Sequence, residues 1–346
     1  MSPNAETTTP DIKSVVSTIL DGIERERERE IISRRFGLFD RKETLEQIGE
    51  LLGITRERVR QLEKAILIRL KIAAEEGRLD LEAIERFLVE QLHEMGRAAR
   101  LSELTERINP SANDRDKAHV AFIAELAPKL AVLNENDHYH HGIALAEHHD
   151  EKQLKKRVDE VVKTVKEHGQ TLTAQELHGK LSYEHPDHVR ALASLSKNLA
   201  NLKDVWGLTK WPTVNPKNIR DKIYVILQEN GKPMHFSEIA KAIKDSDFKR
   251  KDVTTQAIHN ELIKDKRFVL IGRGVYALGE WGYKKGTVAD IITDVLKKAN
   301  EPLHRDEIVK RVLKDRQVKE TTILLNLQSK PEFKRVAKAT YALAEK

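Results

Sequence analysis

Apolar side chains recur at helical spacing along most of this chain, and the points where that spacing stops divide it into units. The opening stretch MSPNAETTTP is polar, carries Thr and Pro, has no periodicity and reads as a disordered lead-in over 1–11. From Asp11 to Phe36 the apolar positions are Val15, Ile19, Ile23, Ile31, Ile32 and Phe36. An alternating Glu/Arg run from Glu24 to Glu30 interrupts them and predicts helix with a solvated face. Thr44 opens a further helix. Its hydroxyl caps the first turn, Gln47 stands at the capping-box position, and Leu45, Ile48, Leu51 and Leu52 supply a buried stripe. Gly53 ends it. After a short turn Thr55 caps the next helix, whose inward face is Val59, Leu62, Ile66 and Leu70. Two helices joined by a Gly-containing turn predict a helix-turn-helix.

Beyond residue 80 the chain repeats a domain-sized pattern. An apolar helix ends at Gly or Asn, and a second helix follows, marked by Glu before Leu or Ile. The instances are GRAARLSEL (Gly96, Glu103, Leu104), GQTLTAQEL (Gly169, Glu176, Leu177), GKPMHFSEI (Gly231, Glu238, Ile239) and NEPLHRDEI (Asn300, Glu307, Ile308). Each leads to a third helical pattern and a short β-rich tail, the last two being RFVLIGRGVYALGEW and FKRVAKATYALAEK. Three helices closed by a hairpin predict a winged helix. Its tips fall at Gly272-Arg273-Gly274 in the third copy and near Lys338 in the fourth, so Arg273 and Lys338 are wing-tip candidates. Trp206, Trp211 and Trp281 sit at or after hairpins, where they are expected to pack wing onto helix. The expected fold is therefore mainly α. A helix-turn-helix domain at 12–80 precedes a tandem array of winged-helix domains with small β-hairpins at 81–149, 150–214, 215–283 and 284–346.

Composition narrows the function classes. The absence of cysteine excludes disulfides, thiolate nucleophiles and cysteine zinc sites. No run approaches the ~20 apolar residues of a spanning helix, and no secretory signal is visible, so the expected location is cytoplasmic and nucleoid-associated. A net charge of +6 and a pI near 9.1 suit a polyanionic partner. His138, His140, His141, His148 and His149 cluster in sequence, but alternating hairpin side chains rarely converge on a metal, so an exposed polar wing is expected and no metal or cofactor. No nucleophile-base set, Walker loop or paired-carboxylate motif appears, and enzymatic activity is not expected.

The helix after Thr55 carries the chemistry. With Val59, Leu62 and Ile66 inward, Arg56, Glu57, Arg60 and Gln61 share an outward face near its N-terminus. Arginine donates a bidentate pair to guanine, glutamine pairs likewise with adenine and glutamate accepts from cytosine, so the quartet has the vocabulary of base reading. Arg58 and Lys64, displaced round the helix, suit phosphates.

At these residues the sequence resembles a known family. RERERE-II-SRRFGL (25–38) followed by TLEQIGELLGITRERVRQLEKAILIRL (44–70) looks like region 4 of the primary sigma factors of bacterial RNA polymerase. The resemblance implies double-stranded DNA of the −35 promoter element as one partner and the β flap of the polymerase as another. Arg56, Glu57, Arg60 and Gln61 align with base readers, and Arg27, Arg35 and Thr44 with phosphate contacts. The upstream regions of a complete sigma factor are not expected, so the chain would not initiate transcription alone. GKPMHFSEIAKAI (231–243) with RFVLIGRGVYAL (267–278), echoed by NEPLHRDEIVKRV and FKRVAKATYAL, resembles the HARE-type winged helix also found in the polymerase delta subunit. In the third copy Gln256, His259, Asn260 and Lys264 are exposed-face candidates. The implied function is a promoter-reading transcription protein. An alternative is a polymerase-associated interaction scaffold with only non-specific DNA contact.

Overall fold

The computed structural model describes residues 10–248, 252–283, 285–316 and 318–344, so most of the polar lead-in lies outside the described residues. Among these residues the chain is mainly helical with small antiparallel sheets, and it divides into two compact units, 1–210 and 211–346.

The first unit begins with α1 (Ile12–Asp21), α2 (Glu26–Phe36), α3 (Leu45–Leu52) and α4 (Arg56–Glu75). The periodic stretch from Asp11 to Phe36 forms two helices, because Gly22 closes α1 and extended backbone at Arg25 opens α2. The Glu/Arg run within it is not uniformly solvated. Glu28 is buried, and its carboxylate accepts from Arg25 at 3.2 Å and from Arg69. A carboxylate removed from water needs such partners, since an unpaired buried charge costs several kcal/mol. In α3 the expected capping box is complete: Thr44 N–H donates to Gln47 Oε1 at 2.9 Å and Gln47 N–H to the Thr44 hydroxyl at 3.2 Å. Gly53 ends the helix at a left-handed φ of +63°. Leu51, expected in the buried stripe, is instead 54% exposed. Leu45 and Leu52 lie on one side of Ile48 round the helix and Leu51 on the other, and only the first side meets α2 and α4.

Two apolar clusters meet along α4. A small one consists of Ile31, Ile48 and Val59 with Leu62 against it. A larger one takes Ile66 together with Ile19, Leu20 and Leu38 and continues into the next elements, α5 (Glu82–Glu94), β1 (Ala98–Arg100), α6 (Leu101–Ile108), α7 (Asp114–Leu126), β2 (Leu130–Leu133) and β3 (Gly142–Leu145). Phe36 of α2 meets Phe122 of α7 edge-on at 5.0 Å. One core therefore crosses residue 80 without a break. α8 (Glu151–His168), β4 (Leu172–Thr173), α9 (Ala174–Lys180), α10 (Pro186–Ser194), β5 (Leu199–Leu202) and β6 (Val205–Leu208) follow.

The second unit repeats this order twice. It contains α11 (Ile219–Asn230), β7 (Met234–His235), α12 (Phe236–Asp245), α13 (Thr255–Lys264), β8 (Phe268–Gly272) and β9 (Val275–Leu278). Then come α14 (Val288–Ala299), β10 (Leu303–His304), α15 (Arg305–Asp315), α16 (Glu320–Ser329), β11 (Phe333–Ala337) and β12 (Thr340–Leu343). In all four sheets the last strand is central, flanked by the short first strand and by its hairpin partner. The repeated motif has a local cause. Gly96, Gly169, Gly231 and Asn300 all take left-handed φ, between +50° and +88°, and so stop their helices. Glu176 and Glu238 complete capping boxes with Thr173 and His235 at the start of the next helix.

The histidine-rich hairpin departs from expectation, since of its five histidines only His138 is fully exposed. Its loop lies against the second repeat: Tyr139 bridges Ser196, His140 N–H donates to the Leu195 carbonyl at 2.8 Å, and Lys197 N–H to the His138 carbonyl at 2.8 Å. The Tyr139 hydroxyl donates to Asp159, whose two oxygens lie at 2.7 and 2.8 Å. A tip buried this way cannot also be a solvated wing. His149 is 5% exposed, and burial, with Arg157 nearby, holds it down at about 4. No group of three or more His, Asp or Glu able to hold a metal occurs among the described residues, and no described helix is long and apolar enough to cross a membrane.

Two outcomes follow from this packing. Glu28→Ala should lower unfolding free energy by about 1–3 kcal/mol in denaturant titration, while Glu26→Ala, on the exposed side of α2, should change it by less than about 0.5 kcal/mol. His149 is neutral when folded and takes a proton more readily when unfolded. Its contribution is therefore fully present above its ordinary 6.5 and falls away as pH drops towards about 4. Chemical denaturation across that window should show the loss in the native chain and less of it in His149→Gln.

Candidate nucleic-acid interface

The N-terminus of α4 is prepared by Thr55, whose hydroxyl accepts from Arg58 N–H at 3.2 Å and satisfies one of the donors a first turn leaves open. Val59 and Ile66, at 0% and 2% exposure, fix the rotation of the helix about its axis. That rotation directs Arg56, Glu57, Arg60 and Gln61 together into solvent, and all four are exposed. The structure brings the expected quartet onto one accessible surface.

The quartet is also internally bonded. Arg60 sends two parallel bonds to Glu57, Nη2 to Oε1 at 2.6 Å and Nε to Oε2 at 2.8 Å. Gln61 Nε2 reaches Glu57 Oε1 at 3.3 Å, Arg58 Nη1 reaches Gln61 Oε1 at 3.4 Å, and Arg56 Nη1 reaches Glu46 of α3 at 3.1 Å. The bonds from Arg60 hold the Glu57 carboxyl down at about 2, so it stays ionised through the acidic range. Arg56, Arg60 and Gln61 thus each have a donor matched to an acceptor that a base edge would have to replace. Exposed pairs of this kind contribute little because water screens them, so the exchange is cheap.

The residues aligned with phosphate contacts are more scattered. Thr44 is exposed, but its hydroxyl is the α3 cap. Arg27 is exposed and donates to the Leu52 carbonyl at 2.7 Å, which ties α2 to the end of α3. Arg35 is turned inward, donating to Glu63 at 3.1 Å and to the Glu43 carbonyl at 2.9 Å. Lys64 is exposed and free of ion pairs among the described residues. Sequence reasoning missed the carboxylates that hold Arg56 and Arg35, Glu46 and Glu63, and the Glu43 carbonyl that Arg35 also meets. It also missed His119 of α7, which is buried with Nε2 at 3.0 Å from the Leu38 carbonyl. The only available signal was alternating charge, which does not say which pairs close.

In the second unit Arg273 and Lys338 are exposed in two-residue turns, with Gly274 at φ +71° and Ala339 at φ +57°. On α13, Gln256 donates to Asn260 at 3.0 Å and Lys264 is exposed. His259 departs from the expected exposed face. It is half-buried between Phe236 and Tyr276, at ring separations of 4.9 and 6.2 Å. Trp206 is buried; Trp211 and Trp281 are half-buried.

Residues 25–71 thus form a helix-turn-helix with a polar, exposed first two turns on its second helix. Those same residues match the family model described as Sigma-70, region 4. Similar stretches occur in RNA polymerase sigma factor RpoD of Helicobacter pylori, 44% identical over 63 residues, which is 18% of this chain and 9% of that protein. Sigma factor SigA of a Bacillus species is 41% identical over 69 residues, 20% of this chain and 18% of the relative. SigA1 of Synechococcus elongatus is 44% identical over 62 residues, 18% and 14%. The chain spans less than a fifth of the length of these relatives, and the similarity concerns the helix-turn-helix stretch.

Because the capping box sets the start of α3 and hence the entry to the turn, Thr44→Ala should lower stability by about 1 kcal/mol. Combining it with Gln47→Ala should cost less than the sum of the two, since both remove parts of one reciprocal arrangement, and a double-mutant cycle by thermal unfolding measures this.

Proposed function

We propose that this protein is a DNA-binding, RNA polymerase-associated transcription protein that reads promoter-like duplex of the −35 type through the N-terminal turns of α4. The observation that carries the reading is the accessible cluster of Arg56, Glu57, Arg60 and Gln61, placed on the second helix of a segment that matches sigma-70 region 4. In a major groove Arg60 exchanges its bonds to Glu57 for a guanine edge. Glu57 then accepts from a cytosine amino group, and Arg56 and Gln61 supply further donors. Arg27, Arg58 and Lys64 contact flanking phosphates, together with Thr44; Arg35 would have to leave Glu63 to join them.

The four repeats are read as winged helices, supported by the recurrent order of helix, strand, two helices and hairpin with the last strand central. The third and fourth are of HARE type. Their tips, Arg273 and Lys338, are free to meet a phosphate backbone, unlike the first hairpin, which is packed on the second repeat. Polymerase contact, through the β flap, is inferred from the sigma factors that the segment resembles. On this reading the protein acts by binding, without catalysis, and complements rather than replaces a complete sigma factor.

Selection of duplexes from a random pool should return a motif. Arg60→Ala should then cost on the order of 1–3 kcal/mol at one base position and relax preference there. Equal affinity for selected and random duplexes, with a steep salt dependence, would replace base reading by the scaffold alternative.

A further inference from the structure

The solvent-facing side of α4 changes character along its length. Its first turns are polar, but beyond Lys64 the same face presents Ala65, Ile68 and Ile72, with Ile68 47% and Ile72 43% exposed. These residues lie opposite the inward positions Val59, Leu62 and Ile66, and among the described residues they belong to neither apolar cluster. Their spacing matters. Gln61, Ala65, Ile68, Ile72 and Glu75 alternate steps of four and three residues, the a/d rhythm of a helix that packs along a second helix.

The charges around this seam point to its occupant. Lys64 stands at the N-terminal end and Glu75 at the C-terminal end, both exposed and both free of ion pairs among the described residues. Beside the middle of the seam Lys71 is paired with Glu125 at 2.6 Å, and Arg69 shares Glu28 with Arg25. A second α4 laid antiparallel, with Ile68 stacked on Ile72 of the other copy, sets Lys64 opposite Glu75 at both ends. A two-fold axis generates the same pair twice.

We propose that this face is a self-association surface, in which two copies of the chain pair their α4 helices antiparallel through Ala65, Ile68 and Ile72, with Lys64–Glu75 ion pairs closing both ends. The overlap runs from Lys64 to Glu75 and leaves the base-reading quartet Arg56, Glu57, Arg60 and Gln61 outside it; Lys64 is shared with the proposed phosphate contacts and is taken up by the pairing, and association is measured without DNA.

Sedimentation equilibrium of the full chain from low to high micromolar concentration should show the mass of two chains forming. Ile68→Asp with Ile72→Asp should leave the mass of one, with an unchanged circular dichroism spectrum because both positions are exposed. Lys64→Glu should weaken association at least about tenfold in dissociation constant, and Lys64→Glu with Glu75→Lys should recover most of that loss. The proposal is overturned by a single-chain mass at every concentration, by a dimer that survives both aspartates, or by failure of the charge swap to rescue. A native chain that stays single but loses binding to another protein when the aspartates are introduced would assign the seam to a different partner and equally refute self-pairing.

Discussion

The exposed chemistry of this protein depends on how one helix is anchored. The inward residues of α4 join two apolar clusters, with Val59 in the small core of the helix-turn-helix and Ile66 in the larger core shared with α1, α5 and α7. A helix held at one point can roll; one held in two cores has its azimuth set. That azimuth turns Arg56, Glu57, Arg60 and Gln61 outward as a group, and the same azimuth turns Ile68 and Ile72 outward further along.

The larger core has a consequence for how the helix-turn-helix works. In a small domain of three or four helices, the apolar area that can be buried is limited and stability is correspondingly slight. Here Phe36, Leu38 and Ile66 pack against Phe122 and its neighbours on α7, and His119 of the same helix donates from Nε2 to the Leu38 carbonyl. The first repeat therefore acts as a buttress behind the turn. The surface left to a partner includes the N-terminal turns of α4, where the quartet lies exposed.

The repeats have been put to different uses by small local changes. A two-residue turn at Arg273-Gly274 or Lys338-Ala339 leaves a short, cationic, exposed tip. The first hairpin instead carries a longer loop, 134–141, whose backbone bonds to 195–197 and whose Tyr139 is anchored by Asp159. Gly96 permits the same close approach, because a Cβ there would sit 2.3 Å from the Asp187 carbonyl oxygen. Loop length and one glycine turn a hairpin from a free projection into a clasp.

Much of the local architecture was legible from residue order alone. Thr44 with Gln47, Gly53, Thr55 and the Gly or Asn at each repeat boundary act through bonds to atoms within a few residues, so spacing is enough to recognise them. Periodicity likewise identified Val59 and Ile66 as inward and the quartet as outward, since the angle per residue on a helix is constant. Contacts between distant segments were not legible. Whether Glu28 faces water or Arg69, whether Leu51 is covered, whether Arg35 reaches outward or closes on Glu63, and whether a histidine-rich loop is free or clasped depend on which surfaces meet after folding. No periodic pattern encodes that. Sequence determined the helices and their faces because those are set by short-range geometry, while only the tertiary structure decided which of those faces remained for a partner, because burial is a property of the assembled cores.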